Sequence, residues 1–300
     1  MLSILILSYN RREALRRTLR ELRVGAPAEA QVIVADNGST DGSVAMVRAE
    51  FPAVEALALG ANLGVAGFNR AAERARGEML LILDDDAWPD PAGLAAALAM
   101  MDREPAVGGV ALAPVHPRTG VAEWRHATAA RTRWPFMGCG NLVRTEAWRR
   151  VGGYEEAFFL YRNDCDLALK LLAAGWDVVF DPAWVVWHDS PAAARKSERW
   201  LRLATRNWVW MTARHGRGPM AALGAAAGAA WALRLAGLDR ARLAAAWAGL
   251  AEGMTESAPP LPAACAPDGD AYAGMVLTQL GARGRAVSSR GSTAAPASPG

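Results

Sequence analysis

Little in this sequence invites a disulfide, export or polyanion-binding reading. It has three cysteines in 300 residues, Cys139, Cys165 and Cys265, an odd number set far apart without C-x-x-C spacing. That argues against a disulfide framework and a zinc ribbon, and it fits a reducing cytoplasm. Lysine is nearly absent: Lys170 and Lys196 stand alone, and the other positive charges are arginine. Alongside abundant alanine, this reads as genome composition and not as selection for guanidinium chemistry. The formal net charge is only +3, and no basic stripe interleaved with aromatics runs along the chain, so no nucleic acid partner is expected. The opening residues Met1 to Ser8 have neither a basic n-region nor an A-x-A-like site, so their apolar run is expected to be a first strand and not a signal peptide. The longest uncharged stretch, Pro219 to Leu233, stops at Arg234, short of the roughly 20 residues a membrane span needs.

What is present is an alternation of two periodicities. Apolar runs at Leu2 to Leu7, Val32 to Ala35, Val54 to Leu59 and Met79 to Leu83 read as strands. Helical patterns lie between them, at Arg11 to Arg23, Ser43 to Glu50 and Val65 to Arg76. A β-α-β-α series implies an α/β fold with a mostly parallel, Rossmann-like sheet. Ligands in such sheets gather at the carboxyl ends of the strands, and polar clusters fall there: Ser8-Tyr9-Asn10, Asp36-Asn37-Gly38-Ser39 and Asp84-Asp85-Asp86. Asp90-Pro91 then opens a helix with a capping residue and a proline at the first helical position.

The sharpest local feature is Leu80-Leu81-Ile82-Leu83-Asp84-Asp85-Asp86, an apolar strand that stops in three carboxylates. Its end offers hard oxygen ligands to solvent or to a cation, where a divalent metal could hold a diphosphate. If the strand stays extended, Asp84 and Asp86 point to one side. Ordinary solvated turns also carry such acids, so the run gains meaning from its surroundings.

Further along, residues 107–143 are rich in Pro, Gly and short apolar runs and suit irregular strands forming a second wall. A helix is expected over Asp164 to Ala174, closed by Gly175, and a strand pair near Val178 to Phe180 and Trp184 to Trp187. Ser197 to Gly253 is helical in pattern and rich in Ala, Leu and Trp, with a membrane surface as one place for it to lie. After about Thr255 periodicity vanishes. The expected organisation is a domain over 1–215, a helical appendage over 216–254 and a disordered tail over 255–300.

Taken in order, the pieces resemble family 2 glycosyltransferases with the GT-A nucleotide-diphospho-sugar fold, in particular rhamnosyltransferase-like bacterial members. They are Ile6-Leu7-Ser8-Tyr9-Asn10-Arg11, the segment Val34 to Ser43, Asn62 to Asn69, Asp84-Asp85-Asp86, Gly138-Cys139-Gly140-Asn141, Gly152-Gly153-Tyr154, Asn163-Asp164-Cys165-Asp166 and Trp187-His188. Their order and spacing carry more weight than any one of them, and the resemblance runs to about residue 215.

The resemblance implies a metal-dependent, inverting transfer of a sugar from a UDP- or dTDP-sugar donor to a hydroxyl of a glycan or lipid-linked acceptor. Its setting would be cell-envelope or exopolysaccharide synthesis, in the cytoplasm or at the inner face of the membrane. Donor contacts are implied for Ser8, Asn10, Asp36, Asn62, Gly64, Asn69, Asp84 and Asp85. Mg²⁺ or Mn²⁺ would be held by Asp86 and His188.

Asp36, at a strand end, can accept a hydrogen bond from a base N–H, or it can simply shape an Asx turn before Asn37-Gly38. Gly64 would allow close backbone approach to the nucleoside, and Asn62 could equally cap a helix. His188 is either a metal ligand or a structural histidine. Asp164 is the expected general base, because inverting transfer needs a carboxylate on the acceptor side to take the hydroxyl proton. If Asp164 were only a helix N-terminal charge, Asp166 would be the fallback. The family usually shows Glu-Asp here, and this chain has Asn163 in place of the Glu.

Glu123, Trp124, Arg125 and His126 could touch sugar or merely pack. Arg206-Asn207 could line an acceptor channel or hold a packed helix. A sugar nucleotidyltransferase would need a Gly-rich basic loop after the first strand, and a Rossmann oxidoreductase would need G-x-G-x-x-G there. Ser8-Tyr9-Asn10-Arg11 is neither. The nonenzymatic alternative is a degenerate GT-A fold that senses sugar nucleotides.

Overall fold

The computed structural model describes residues 1–123, 139–190, 197–266 and 269–279. Its first half alternates β1 (Leu2–Ser8), α1 (Arg12–Gly25), β2 (Gln31–Asp36), α2 (Ser43–Glu50), β3 (Glu55–Ala58), α3 (Ala66–Ala72) and β4 (Met79–Asp84). A short β5 (Ala87–Pro89), α4 (Pro91–Arg103) and β6 (Val107–Val115) follow, then β7 (Asn141–Arg144), α5 (Thr145–Arg150), α6 (Asn163–Ala173) and β8 (Asp177–His188). Four helices close the described chain: α7 (Glu198–His215), α8 (Gly218–Ala236), α9 (Arg240–Thr255) and α10 (Gly269–Gln279).

All eight strands form one sheet in the order β3-β2-β1-β4-β7-β6-β8-β5. Strands β1 to β4 run parallel, and their side chains alternate between two cores as a period of two requires. Ile4, Ile6, Leu81 and Leu83 meet α1, α2 and α4 on one face. Leu5, Ile33, Leu80 and Ile82 meet α3, α5 and α6 on the other. Burial on both faces is why these strands read as continuous apolar runs.

The register explains where the polar clusters end up. Ser8 pairs with Asp36 and Leu7 with Asp84, so three parallel strands finish at one edge. Strand β7 is antiparallel to β4 and β6 is antiparallel to β7, while β8 runs parallel to β6. The start of β7 at Asn141 and the end of β8 at His188 therefore arrive at that same edge. Asp90 caps α4 as expected, its carboxylate accepting from the Gly93 N–H at 3.0 Å with Pro91 next in line, an arrangement worth about 1 kcal/mol.

Two expectations are corrected. The residues foreseen as a strand pair are one strand, β8, because its pairing with β6 continues through a bulge between Ala111 and Ala113. The tail expected to be disordered after 255 contains α10, whose Tyr272, Met275 and Val276 are buried against Trp208, Trp210 and Met211 of α7. The same cluster takes in Phe158, Cys165 and Leu169, so the C-terminal helices continue the core around α6.

Candidate active site

The edge loops are tied together before any ligand is considered. Asn10, held at φ 53°, accepts from the Thr40 N–H at 2.7 Å and donates its own N–H to Ser39 Oγ at 2.8 Å, joining the loops after β1 and β2. Asp36 is buried, and its Oδ1 accepts from the N–H groups of Gly38 and Ser39 at 3.1 and 2.8 Å. The Asx turn is thus present. Yet Oδ2 of the same carboxylate is buried without a hydrogen-bond partner, a state that costs about 1–3 kcal/mol unless a ligand donates to it. Asn37 bridges to the next loop, donating to Gly64 O at 3.1 Å, while Asn62 Oδ1 accepts from Gly64 N–H at 3.0 Å. Gly64 sits at φ +59°, where a Cβ would strike the Phe159 carbonyl, so this turn demands glycine.

The acidic run leaves the sheet at Asp84, and Asp85-Asp86 form a turn. Asp84 stands at the strand end, crowded by protein although its side chain is partly exposed to water. That burial, with Asp86 and Asp164 adding repulsion, pushes its pKa up to about 8. Asp85 is buried beside Ser8 and turned onto Arg11 Nη1 at 3.1 Å. Burial lifts it to about 6 against the pull of that arginine. In this structure Asp85, foreseen as a donor contact, forms an ion pair that steadies Arg11. Asp86 pairs with Arg11 Nη2 at 2.6 Å and with His188 Nε2 at 3.2 Å. Burial alone would raise it, but His188 and Arg11 hold it below the usual carboxylate range.

His188 is oriented from behind, with Nδ1 2.7 Å from Glu123 Oε1, which also accepts from Ser190 Oγ at 3.1 Å. Against the effect of burial, Asp86, Cys139 and Glu123 raise its pKa well above the ordinary value. Nε2 is left facing Asp86 and, at 4.0 Å, Asp84. Ligand atoms of Asp84, His188 and Cys139 all lie within 4.8 Å of one another. Burial lifts the Cys139 thiol to about 12, which keeps it a neutral sulfur. The hard carboxylate oxygens of Asp84 and Asp86 suit Mg²⁺ or Mn²⁺, with the borderline nitrogen of His188 suiting Mn²⁺ better, and the Glu123–His188 pair is the kind of outer contact that orients a ligating imidazole. Sequence reasoning noted Glu123 without this task and did not foresee Cys139 beside His188. Trp124, Arg125, His126 and Gly138 lie outside the described residues.

Asp164 enters the cleft from the first turn of α6. Its Oδ1 accepts from Tyr154 Oη at 2.8 Å, with the Asn141 amide at 3.5 Å. Burial pushes its pKa up to about 6, restrained by the tyrosine hydrogen bond. Tyr154 is itself fixed between Phe68 and Trp148 in edge-on contacts of 5.6 and 5.1 Å.

Asn69, expected to touch the donor, braces this tyrosine: its Oδ1 accepts from the Tyr154 N–H at 3.0 Å and its amide donates to Tyr154 O at 2.9 Å. Asp166 is corrected as a fallback base. It is completely buried between His215 Nε2 at 2.9 Å, Arg214 Nε at 3.0 Å and Lys170 Nζ at 3.7 Å. Burial would raise its pKa, but the hydrogen bond to His215 and the charges of Lys170 and Arg214 hold it down, and no hydroxyl can reach it.

The segment before α6 is strained, with Phe159, Tyr161 and Arg162 all at positive φ. The buried Asn207 amide donates to the carbonyls of Phe158, Leu160 and Tyr161 at 2.9, 2.7 and 2.9 Å, and Arg206 reaches Ala157 O and Phe158 O. From the other side Val65 N–H donates to Phe159 O at 2.7 Å. This pays for the strain and fixes where α6, and Asp164 with it, begins.

The structure therefore brings Asp84, Asp86, His188 and Asp164 to one cleft, with Asp36 and the Asn62–Gly64 turn on adjoining loops. Such a site can hold a cation-bound diphosphate on one side and accept a proton on the other.

The family model for glycosyl transferase family 2 matches residues 3–166. N-acetylglucosaminyl-diphospho-decaprenol L-rhamnosyltransferase of Mycobacterium tuberculosis is 26% identical over 267 residues, covering 71% of this chain and 87% of its own. Two solved structures share the fold. The mannosyltransferase PcManGT from Pyrobaculum calidifontis, in complex with GDP-Man and Mn²⁺, has a TM-score of 0.56 at 22% identity over 93% of this chain and 79% of that one. S. aureus TarS 1-349 has a TM-score of 0.61 at 15% identity over 85% and 81% of the two chains.

Proposed function

The chain is a glycosyltransferase of glycosyl transferase family 2, and from that premise we propose that it transfers a sugar, with inversion, from a UDP- or dTDP-sugar to a hydroxyl of a glycan or lipid-linked acceptor. The observation that carries this reading is the meeting of Asp164 with Asp84, Asp86 and His188 in one cleft. Asp84, Asp86 and His188 would hold Mg²⁺ or Mn²⁺. Bound there, the cation would neutralise charge that builds on the departing diphosphate. Asp36 offers its unpartnered Oδ2 to a base imide N–H, and Gly64 lets the backbone pass close to the nucleoside.

Asp164 takes the acceptor proton. Tyr154 occupies Oδ1, which leaves Oδ2 to receive the hydroxyl hydrogen as oxygen attacks the anomeric carbon. A pKa of about 6 keeps the carboxylate ionised near neutrality and more basic than an exposed aspartate, as a general base requires. Asn163 can hydrogen-bond an acceptor hydroxyl but cannot share the base's work. Relatedness to a rhamnosyltransferase acting on a decaprenol-linked substrate supports a lipid-linked acceptor and a cell-envelope setting, with the enzyme working at the cytoplasmic face of the membrane.

The test begins with thermal shifts of the purified chain against a panel of nucleotide sugars with and without Mn²⁺. A true donor at a hundredfold excess over Kd raises stability by about 2.7 kcal/mol. The anomeric configuration of the product, read by NMR, is expected to be inverted. Retention of configuration, or an equal response to all donors without metal dependence, contradicts the proposal. Asn163 is the one feature that favours a sugar-nucleotide sensor. A sensor would bind donor and turn over none of it.

A further inference from the structure

The outward faces of α8 and α9 differ from the rest of the surface. Of the eleven large apolar side chains exposed among the described residues, six fall between Leu223 and Met254. On α8 the exposed positions Pro219, Ala222, Leu223, Ala226, Ala230 and Leu233 recur at helical spacing and form one uncharged stripe. On α9 Ala244, Trp247, Ala251 and Met254 do the same, with Trp247 58% and Met254 70% exposed. Exposed apolar stripes on two neighbouring helices mark an interaction site.

Charge and packing indicate what covers it. Exposed arginines flank the stripes, Arg217 and Arg234 toward the two ends of α8 and Arg240 at the start of α9. Of the nearby acids, Asp239 caps α9 and Glu252 binds Arg202 at 2.7 Å, while Glu256 stands exposed just past the end of α9. Three exposed arginines beside exposed Trp and Leu, against one exposed carboxylate at the far end of α9, complement an anionic lipid surface.

With 19 residues and a mean hydropathy of 1.2, α8 is long and apolar enough to cross a bilayer. Its other face, however, belongs to the protein. Tyr272 packs on Gly224, Trp208 packs on Gly228, and Trp208 Nε1 donates to Gly224 O at 2.7 Å. A helix clamped along one side lies on a membrane and does not span it.

We propose that the outward faces of α8 and α9 dock this enzyme onto an anionic bilayer, inserting Leu223, Leu233 and Trp247 at headgroup depth. The placement suits the site. Trp231 of α8 packs on Trp200 at 5.4 Å, Trp200 packs on Tyr161 at 5.6 Å, and Tyr161 belongs to the strained segment that leads directly into Asp164. An aromatic row thus connects the docking helix to the cleft, and a lipid-linked acceptor held in the bilayer would meet the site along it. That last step rests on the function proposed above; the docking itself does not.

Co-sedimentation of the full chain with phosphatidylcholine vesicles, with and without about 30% phosphatidylglycerol, tests the docking without donor or acceptor. The chain is expected to pellet with the anionic vesicles and to be released by salt. The combined variant Leu223→Glu, Leu233→Glu, Trp247→Glu should bind at least about tenfold more weakly with an unchanged circular dichroism spectrum. A separate variant, Arg217→Ala, Arg234→Ala, Arg240→Ala, should lose the preference for anionic lipid. Wild-type protein left in the supernatant at every lipid concentration overturns the proposal, as does equal pelleting of the Glu variant. A wild-type dimer that the Glu variant dissociates, without vesicle binding, overturns it in favour of a second copy as the occupant. If vesicles bind but no sugar is ever transferred, the functional reading fails and the docking stands.

Discussion

The two faces of α6 treat the same side chain in opposite ways. On the cleft face, Asp164 keeps one oxygen free, and burial raises its pKa to about 6. On the inner face, two residues later, Asp166 is saturated by His215, Arg214 and Lys170, which hold its pKa below the ordinary value against the effect of burial. A carboxylate that must accept a proton is left incompletely satisfied, whereas one that must hold helices together is fully paired. Nothing between residues 163 and 166 distinguishes them, because the difference is made outside that stretch, by Tyr154 on one face and by Lys170 with Arg214 and His215 of α7 on the other.

The sharpest way to break this contrast is to neutralise each acid in turn. Asp164→Asn should lower the transfer rate by about 10²–10⁴-fold, the span of general-base catalysis, without loss of melting temperature. The sign follows from linkage. A carboxyl whose pKa is raised on folding stabilises the protein below its unfolded value and loses that contribution as pH rises through about 6. At pH 7.5 the ionised Asp164 is therefore a cost that the amide removes. Asp166→Asn should do the reverse, losing about 3–5 kcal/mol in urea unfolding because Arg214 and Lys170 are left as buried charges. Its folded fraction should still turn over.

Asn207→Leu sits between these extremes. Removing the amide from three backbone carbonyls should cost about 1–3 kcal/mol. Releasing the strained segment ahead of α6 should lower kcat by roughly tenfold while donor Kd, read by calorimetry, stays put. The smallest effect is that of pH itself. The wild-type rate should decline below about pH 6 as Asp164 takes a proton. The Asp166→Asn enzyme, assayed while folded, should show the same limb, since Asp166 plays no part in it.

Much of this layout is legible in the sequence, for a local reason. Parallel strands put their carboxyl ends on one edge, so Ser8, Asp36 and Asp84 could be placed together from the alternation of strands and helices, whereas His188 is placed there only by resemblance, and it arrives on β8, a single strand parallel to β6. What escapes is whatever depends on a partner distant in sequence. That Asn69 braces Tyr154, 85 positions on, cannot be read from its local motif. Asp166 reads as a spare base until His215 and Arg214 cover it. Cys139 reads as an isolated buried thiol until β8 sets His188 beside it. The α10 helix hides in a Pro- and Ala-rich stretch because its helical order comes from packing on Trp208 and Trp210 and hardly from propensity.

The most direct test is the rate of sugar transfer by Asp164→Asn, measured at pH 7.5 with saturating donor and Mn²⁺ on protein whose donor affinity matches wild type. The expected result is intact donor binding with transfer reduced at least about a hundredfold. Transfer within about twofold of wild type would mean that the proton leaves by another route and that Asp164 is not the base of this cleft.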